Sequence, residues 1–307
     1  MTSRVAAIDI GTNSVLLLVA ERGEDGVVRA VRERATITRL GEGVDRSGEI
    51  AEVARDRTLA CLRAYADDLR ELGVTRVAAV GTSAMRDARG GPAFADAAGE
   101  VLGSRPMIAS GDEEARLTFA GSLAGLSVTG PVAVFDVGGG STEIVVGERT
   151  ATGARIDAKV SLDVGSVRLT ERHVRGDPPT AAELDAVARD VDAALAGVGK
   201  IPMGATLVGV AGTVTTLAAV AHDVHPYDGA RVHGASLSAA EVSAVRARLS
   251  ALTLAERRAL PTVDAKRADV IVAGAVIVDR VVAWSGASAM LASDRGVRWG
   301  LALDLLR

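Results

Sequence analysis

Two stretches of the sequence, Asp9-Ile-Gly-Thr-Asn-Ser14 and Asp136-Val-Gly-Gly-Gly-Ser141, carry one pattern at a spacing of 127 residues. At that spacing Asp9/Asp136, Gly11/Gly138, Ser14/Ser141, Val19/Val146 and Glu21/Glu148 are identical. Each copy reads as an apolar strand (5–10 and 132–137), a small-residue turn and a second strand (15–20 and 144–147). That is a β-hairpin used twice. A chain of 307 residues exceeds one typical domain, so the repeat predicts two related domains, each built on one hairpin.

The turn has a specific chemistry. Glycine lets the backbone approach a ligand closely, and successive N–H groups form an anion-binding concavity. Ser and Thr hydroxyls add donors, and an Asp at the end of the first strand can hold a cation directly or through water. Thr12, Asn13 and Ser14 in one copy, and Gly138, Gly139, Gly140 and Ser141 in the other, are therefore candidates for phosphate binding, with Asp9 and Asp136 as metal candidates. The G-x-x-x-x-G-K-[ST] loop does not occur, so phosphate is not expected to be held in the P-loop manner. A third small-residue turn, Gly209-Val-Ala-Gly-Thr213, precedes an apolar helix-like stretch and adds Gly212 and Thr213 to the phosphate candidates.

Three side chains carry candidate chemistry. Glu143 replaces the apolar Leu16 of the first copy. A carboxylate beside an anion site repels the substrate unless it orients water or holds a metal; a solvent-facing strand residue is the plainer alternative. In Ser110-Gly-Asp-Glu-Glu-Ala-Arg116, Ser110 and Glu113 have capping-box spacing. Glu114 is not needed for that box and can serve as general base for a water nucleophile, or merely compensate the helix dipole. Arg86 ends Gly81-Thr-Ser-Ala-Met-Arg86 after an apolar strand and suits a bidentate phosphate contact, with Arg89 as a competitor. Arg168 and His233 are lesser candidates. The four histidines lack zinc-motif spacing.

Bulk properties narrow the class. The net charge of −4 argues against general nucleic-acid binding. One cysteine, Cys61, cannot form an internal disulfide, and the longest apolar run, 270–278, is far short of a membrane span. No signal peptide is visible, and a cytoplasmic protein without membrane or nucleic-acid partners is expected.

Together the segments resemble the exopolyphosphatase/guanosine pentaphosphate phosphohydrolase family. They are Ala7-Ile-Asp-Ile-Gly-Thr-Asn-Ser14, Gly81-Thr-Ser-Ala-Met-Arg86, Ser110-Gly-Asp-Glu-Glu-Ala-Arg-Leu117, Phe135-Asp-Val-Gly-Gly-Gly-Ser-Thr-Glu143 and Gly209-Val-Ala-Gly-Thr213. Arg267-Ala-Asp-Val-Ile271 and Gly296-Val-Arg-Trp-Gly300 also match, in the family's order. The resemblance implies an α/β fold of two actin/Hsp70-like (ribonuclease-H-like) domains, with mixed sheets flanked by helices and an active site in the interdomain cleft. It implies Mg²⁺-dependent release of orthophosphate from the end of inorganic polyphosphate, with Mn²⁺ as a substitute metal. On this resemblance Glu114 activates water, Glu143 assists water or metal, Asp136 and Asp9 serve the metal, and Arg86 grips the phosphate being cleaved. A homodimer is a further family-level expectation. Longer members carry C-terminal helical domains absent from this sequence, which predicts a preference for shorter chains.

The expected layout is domain I over 1–125, domain II over 126–295, a hinge at 126–131, and a last helix, 296–306, packing back on domain I. Helices are predicted near 50–72, 112–126, 180–196, 238–252 and 265–284. Hydrolysis of pppGpp or a nucleoside triphosphate at the same site is the main alternative. A sugar or acetate kinase and an actin-like switch are lesser ones.

Overall fold

The computed structural model describes residues 4–150 and 153–307. The chain divides into two compact units: unit 1 is Met1–Gly121 with Val297–Arg307, and unit 2 is Ser122–Gly296.

Unit 1 runs β1 (Arg4–Ile10), β2 (Ser14–Arg22), β3 (Val28–Ile37), α1 (Val44–Ser47), α2 (Glu52–Glu71), β4 (Arg76–Gly81), α3 (Ser83–Asp87), α4 (Gly91–Leu102), β5 (Met107–Ile108) and α5 (Gly111–Ser122). Its sheet has the order β3-β2-β1-β4-β5. β1 pairs antiparallel with β2 and parallel with β4. The central strand β1 is apolar and almost wholly buried, as a strand covered on both faces must be. Its core gathers Ile8, Leu17, Leu62, Tyr65 and Phe94 from β1, β2, α2 and α4.

Unit 2 runs β6 (Pro131–Val137), β7 (Thr142–Thr150), β8 (Gly153–Leu162), α6 (Ser166–His173), α7 (Ala181–Leu195), β9 (Thr206–Val210), α8 (Ala211–Ala221), α9 (Gly229–Val232), β10 (Ser236–Ser238), α10 (Ala239–Ala251), α11 (Leu254–Ala259), α12 (Ile271–Ser285) and β11 (Ala289–Ala292). Its order is β10-β11-β9-β6-β7-β8. Without β10, the order β8-β7-β6-β9-β11 repeats that of unit 1 strand for strand. Both sheets are mixed and flanked by helices, the α/β architecture expected. The first two turns of α12, Ile271 to Val278, are apolar all round and buried in the core of unit 2. The final helix, α13 (Val297–Leu305), returns to unit 1 and packs on β1, β2 and β4.

One local expectation is extended and two are corrected. Each repeated hairpin is present but is extended to a three-stranded meander, because β3 and β8 follow. β3 is an edge strand rich in Arg and Glu, a composition that keeps an edge soluble and hides it from an apolar pattern search. The helix expected to 126 stops at Ser122, and Gly125 beyond it has φ 82°. The helix expected from 265 begins at Ile271; before it Asp264 caps a turn by accepting from the backbone N–H of Lys266 (2.8 Å).

Candidate active site

In unit 2, Asp136 on β6 stands directly opposite Glu143 on β7, and Glu143 opposite Ser161 on β8. Ser161 Oγ donates to Glu143 Oε1 at 2.8 Å. Glu143 is 2% exposed, so it is not a solvent-facing strand residue. Directly opposed side chains share a face of the sheet, and two carboxylates there repel unless a cation or proton intervenes. Mg²⁺ typically takes one or two protein carboxylates and leaves its remaining positions to water and phosphate oxygens. The Asp136/Glu143 pair fits such a metal. Among the described residues no group of three or more His, Cys, Asp or Glu is arranged to hold one.

The turn after β6 is closed by the Gly138 N–H donating to Ser141 O (3.0 Å). Its carbonyls are held from behind by the start of α6. The Gly138 oxygen accepts from Ser166 N (2.9 Å), and the Gly139 oxygen from Val167 N (2.9 Å) and Arg168 N (3.0 Å). The Gly140 oxygen accepts from Arg168 Nε at 2.6 Å. In a trans peptide the N–H points opposite to the C=O. The amides of Gly139, Gly140 and Ser141 therefore face away from α6 as three consecutive donors.

Unit 1 repeats the turn with other residues. Gly11 N donates to Ser14 O (2.9 Å); the Thr12 oxygen accepts from Gly41 N (2.9 Å), and the Asn13 oxygen from Thr38 N (3.0 Å) and Arg39 N (2.9 Å). The Thr12 hydroxyl pairs with Ser83 of α3 at 2.8 Å. Asp9 occupies on β1 the place of Asp136, facing the apolar Leu16 instead of a carboxylate.

The second carboxylate of unit 1 is Glu114 in the first turn of α5. It is 6% exposed and accepts from Arg86 Nη1 at 2.7 Å. Burial raises its pKa above the usual carboxylate range, while the Arg86 hydrogen bond and charge pull against that rise. Arg86 also donates to Ala109 O (3.3 Å) and Asp87 Oδ1 (3.2 Å). Arg89, the competitor, pairs with Glu49 at the surface. The Ser110 hydroxyl accepts from Glu113 N (3.2 Å), one half of a capping box, while the Glu113 carboxylate pairs with Arg116 (2.8 Å).

The third turn is arranged differently. α8 starts at Ala211, whose φ is 71°. The Gly212 carbonyl is turned onto Arg267, accepting from its Nη1 at 2.6 Å and from Thr216 Oγ1 at 2.7 Å. A Cβ on Gly212 would overlap the Arg267 guanidinium, so the end of that side chain would have to shift. Thr213 is 4% exposed, and Gly274 of α12 lies between it and Ser166 of α6. Arg267 was not singled out as a site residue on sequence, although its Arg-Ala-Asp context belongs to the resemblance.

The candidates thus form one set per unit. Asp9, Thr12, Asn13, Ser14, Arg86 and Glu114 belong to unit 1; Asp136, Gly138 to Ser141, Glu143, Gly212 and Thr213 belong to unit 2. A concavity of ≈ 660 Å³ lies elsewhere, at the amino ends of β9 and β11; no titratable side chain lines it, so it offers no acid–base chemistry. Among the described residues no helix is long and apolar enough to cross a membrane.

Residues 18–307 match the Ppx/GppA phosphatase family. The sequence is 39% identical over 320 aligned positions to exopolyphosphatase 2 of Mycobacterium tuberculosis, spanning 99% of this chain and 98% of that protein. It is 33% identical over 218 positions to a guanosine-5'-triphosphate,3'-diphosphate pyrophosphatase of Photobacterium profundum, covering 69% of this chain and 42% of that one. The fold is similar to the crystal structure of the Aquifex aeolicus Ppx/GppA family member, with a TM-score of 0.83 and 34% identity over 100% of this chain and 98% of that one.

Proposed function

The chain belongs to the Ppx/GppA phosphatase family, and we propose that it is a phosphoanhydride hydrolase of the exopolyphosphatase kind, releasing orthophosphate from the end of inorganic polyphosphate with Mg²⁺. The observation that carries this reading is Glu114, a buried carboxylate held by Arg86 at 2.7 Å with its pKa raised. A buried carboxylate of that kind takes up a proton more readily than an exposed one, as a general base must.

Glu114 accepts a proton from water as the water oxygen bonds to the terminal phosphorus. The bridging P–O bond breaks, and the shortened chain leaves with the electron pair. Arg86, a planar cation with five donors, offsets charge on the phosphoryl oxygens. The outward amides of Gly139, Gly140 and Ser141 bind phosphate oxygens in the same sense, with Thr12, Asn13 and Ser14 as their counterparts in unit 1. Gly212 and Thr213 add a further phosphate contact. Asp136 and Glu143 would hold Mg²⁺, with Asp9 as a further carboxylate; when bound, the metal supplies charge neutralisation at the phosphate oxygens. The likeness to M. tuberculosis exopolyphosphatase 2 supports polyphosphate as substrate.

A second reading, removal of a phosphate from pppGpp at the same groups, is favoured by the P. profundum relative. The deciding experiment is phosphate release from short polyphosphate, long polyphosphate, pppGpp and ATP, with and without Mg²⁺, against Glu114→Ala. Release from polyphosphate that needs Mg²⁺ and disappears in the variant supports the first reading, and the length series tests the preference for shorter chains. Release from pppGpp or ATP alone moves the assignment to a nucleotide phosphohydrolase. No release from any of the four rejects the hydrolase reading.

A further inference from the structure

We propose that Arg168 and Gly165 are positioning residues for phosphate: they hold the 138–141 turn with its amides toward the anion. The proposal rests on reading that turn as a phosphate site. A peptide next to glycine flips more readily than one between two other residues, because glycine occupies both signs of φ. A flip of the Gly140–Ser141 peptide would put a carbonyl oxygen where an N–H meets the phosphate, turning attraction into repulsion. The bond from Arg168 Nε to the Gly140 oxygen, 2.6 Å and charge-assisted, opposes that flip. The Arg168 side chain is 17% exposed and lies 3.8 Å from Asp163, so its guanidinium is held in the fold rather than free in solvent. The N–H groups of Ser166, Val167 and Arg168 lock the two preceding peptides in the same sense.

This lock requires α6 to start in contact with the turn. Gly165 makes that possible: a Cβ there would overlap the backbone of Gly139 and Gly140. Its φ of −145° and ψ of 161° are open to any residue, so the requirement is space alone. Unit 1 solves the same problem with other parts. There Gly41 approaches so closely that a Cβ would overlap the Thr12 side chain, and the carbonyls of Thr12 and Asn13 are held by backbone amides. Thr12 and Asn13 resist flipping more than glycine does. The turn with three consecutive glycines is the one that uses a guanidinium.

The test compares wild type, Arg168→Ala and Arg168→Gln by calorimetric titration with orthophosphate and tripolyphosphate in Mg²⁺, and by steady-state kinetics on tripolyphosphate. Arg168→Ala should weaken anion binding and raise KM about tenfold or more. The melting temperature should stay within about 3 °C, and the acid limb of the pH–rate profile, which belongs to Glu114, should not move. Arg168→Gln keeps an N–H donor and should recover part of the binding; it also carries the comparison if the alanine variant does not fold. Unchanged Kd and KM in Arg168→Ala overturn the proposal, as does a wild type that binds neither anion. If the wild type binds both anions but hydrolyses no phosphoanhydride, the hydrolase reading fails and the Kd comparison still decides the role of Arg168.

Discussion

Glu114 sits between two opposing influences. Burial favours its neutral form, and Arg86 favours its charged form. A base must be ionised to work, so activity should fall as pH drops through its raised pKa, at a pH above the usual carboxylate range. Replacing Arg86 by Met removes the opposing influence, and the acid limb of the pH–rate profile should move to higher pH. An unmoved limb would mean that another group titrates there. Glu114→Gln removes the proposed base while keeping its shape, and kcat should drop about 10²- to 10⁴-fold. Glu143 makes a separate prediction: with Glu143→Gln, the Mg²⁺ concentration giving half-maximal rate should rise about 10- to 100-fold. A metal titration at saturating polyphosphate reads this directly.

At the scale of elements, α5 is positioned by α13. A Cβ on Gly300 would overlap the carbonyl oxygen of Leu117, so the two helices touch at a point where only glycine fits. Gly300→Ala must push α5 away, and should cost about 1–3 kcal/mol by denaturant unfolding, with a loss of kcat because Glu114 rides on α5. Other helices are fixed by their starts. α7, α10 and α11 each begin with a reciprocal capping box, Thr180/Glu183, Ser238/Glu241 and Thr253/Glu256. Thr180→Ala should cost about 1 kcal/mol and leave kcat unchanged. Such signals are local, which is why most helix positions could be read from the sequence. The Asp-x-Gly turns were equally legible, because their glycines and carboxylates serve a need within six residues. What stayed hidden depends on distant partners. Arg168 reaches back to Gly140, Arg267 to Gly212, and Glu114 finds Arg86 across the fold. β3 was hidden for another reason, since an edge strand need not be apolar.

At the scale of the molecule, each unit has a core of its own, Tyr65 and Phe94 in one, Phe135 and Leu217 in the other. Two cores permit two unfolding steps. Unit 1 is also assembled from two distant pieces of chain, because α13 supplies Val297, Trp299 and Ala302 to its interior. Trp299 is 2% exposed and donates from Nε1 to Glu33 at 3.0 Å. Trp299→Ala should cost about 3–5 kcal/mol, and calorimetry should assign the loss to one transition while the other keeps its midpoint. A single transition lowered as a whole would show that the two cores melt together. The same discontinuity sets an order of events on the ribosome. Synthesis proceeds at roughly 5–20 residues per second, so on the order of ten seconds or more separate the emergence of α5 from that of α13. Unit 2, contiguous in sequence, can close during that interval. Unit 1, the earlier of the two to start, is thus completed after unit 2, and the helix that carries Glu114 gains its final support only once α13 has been made.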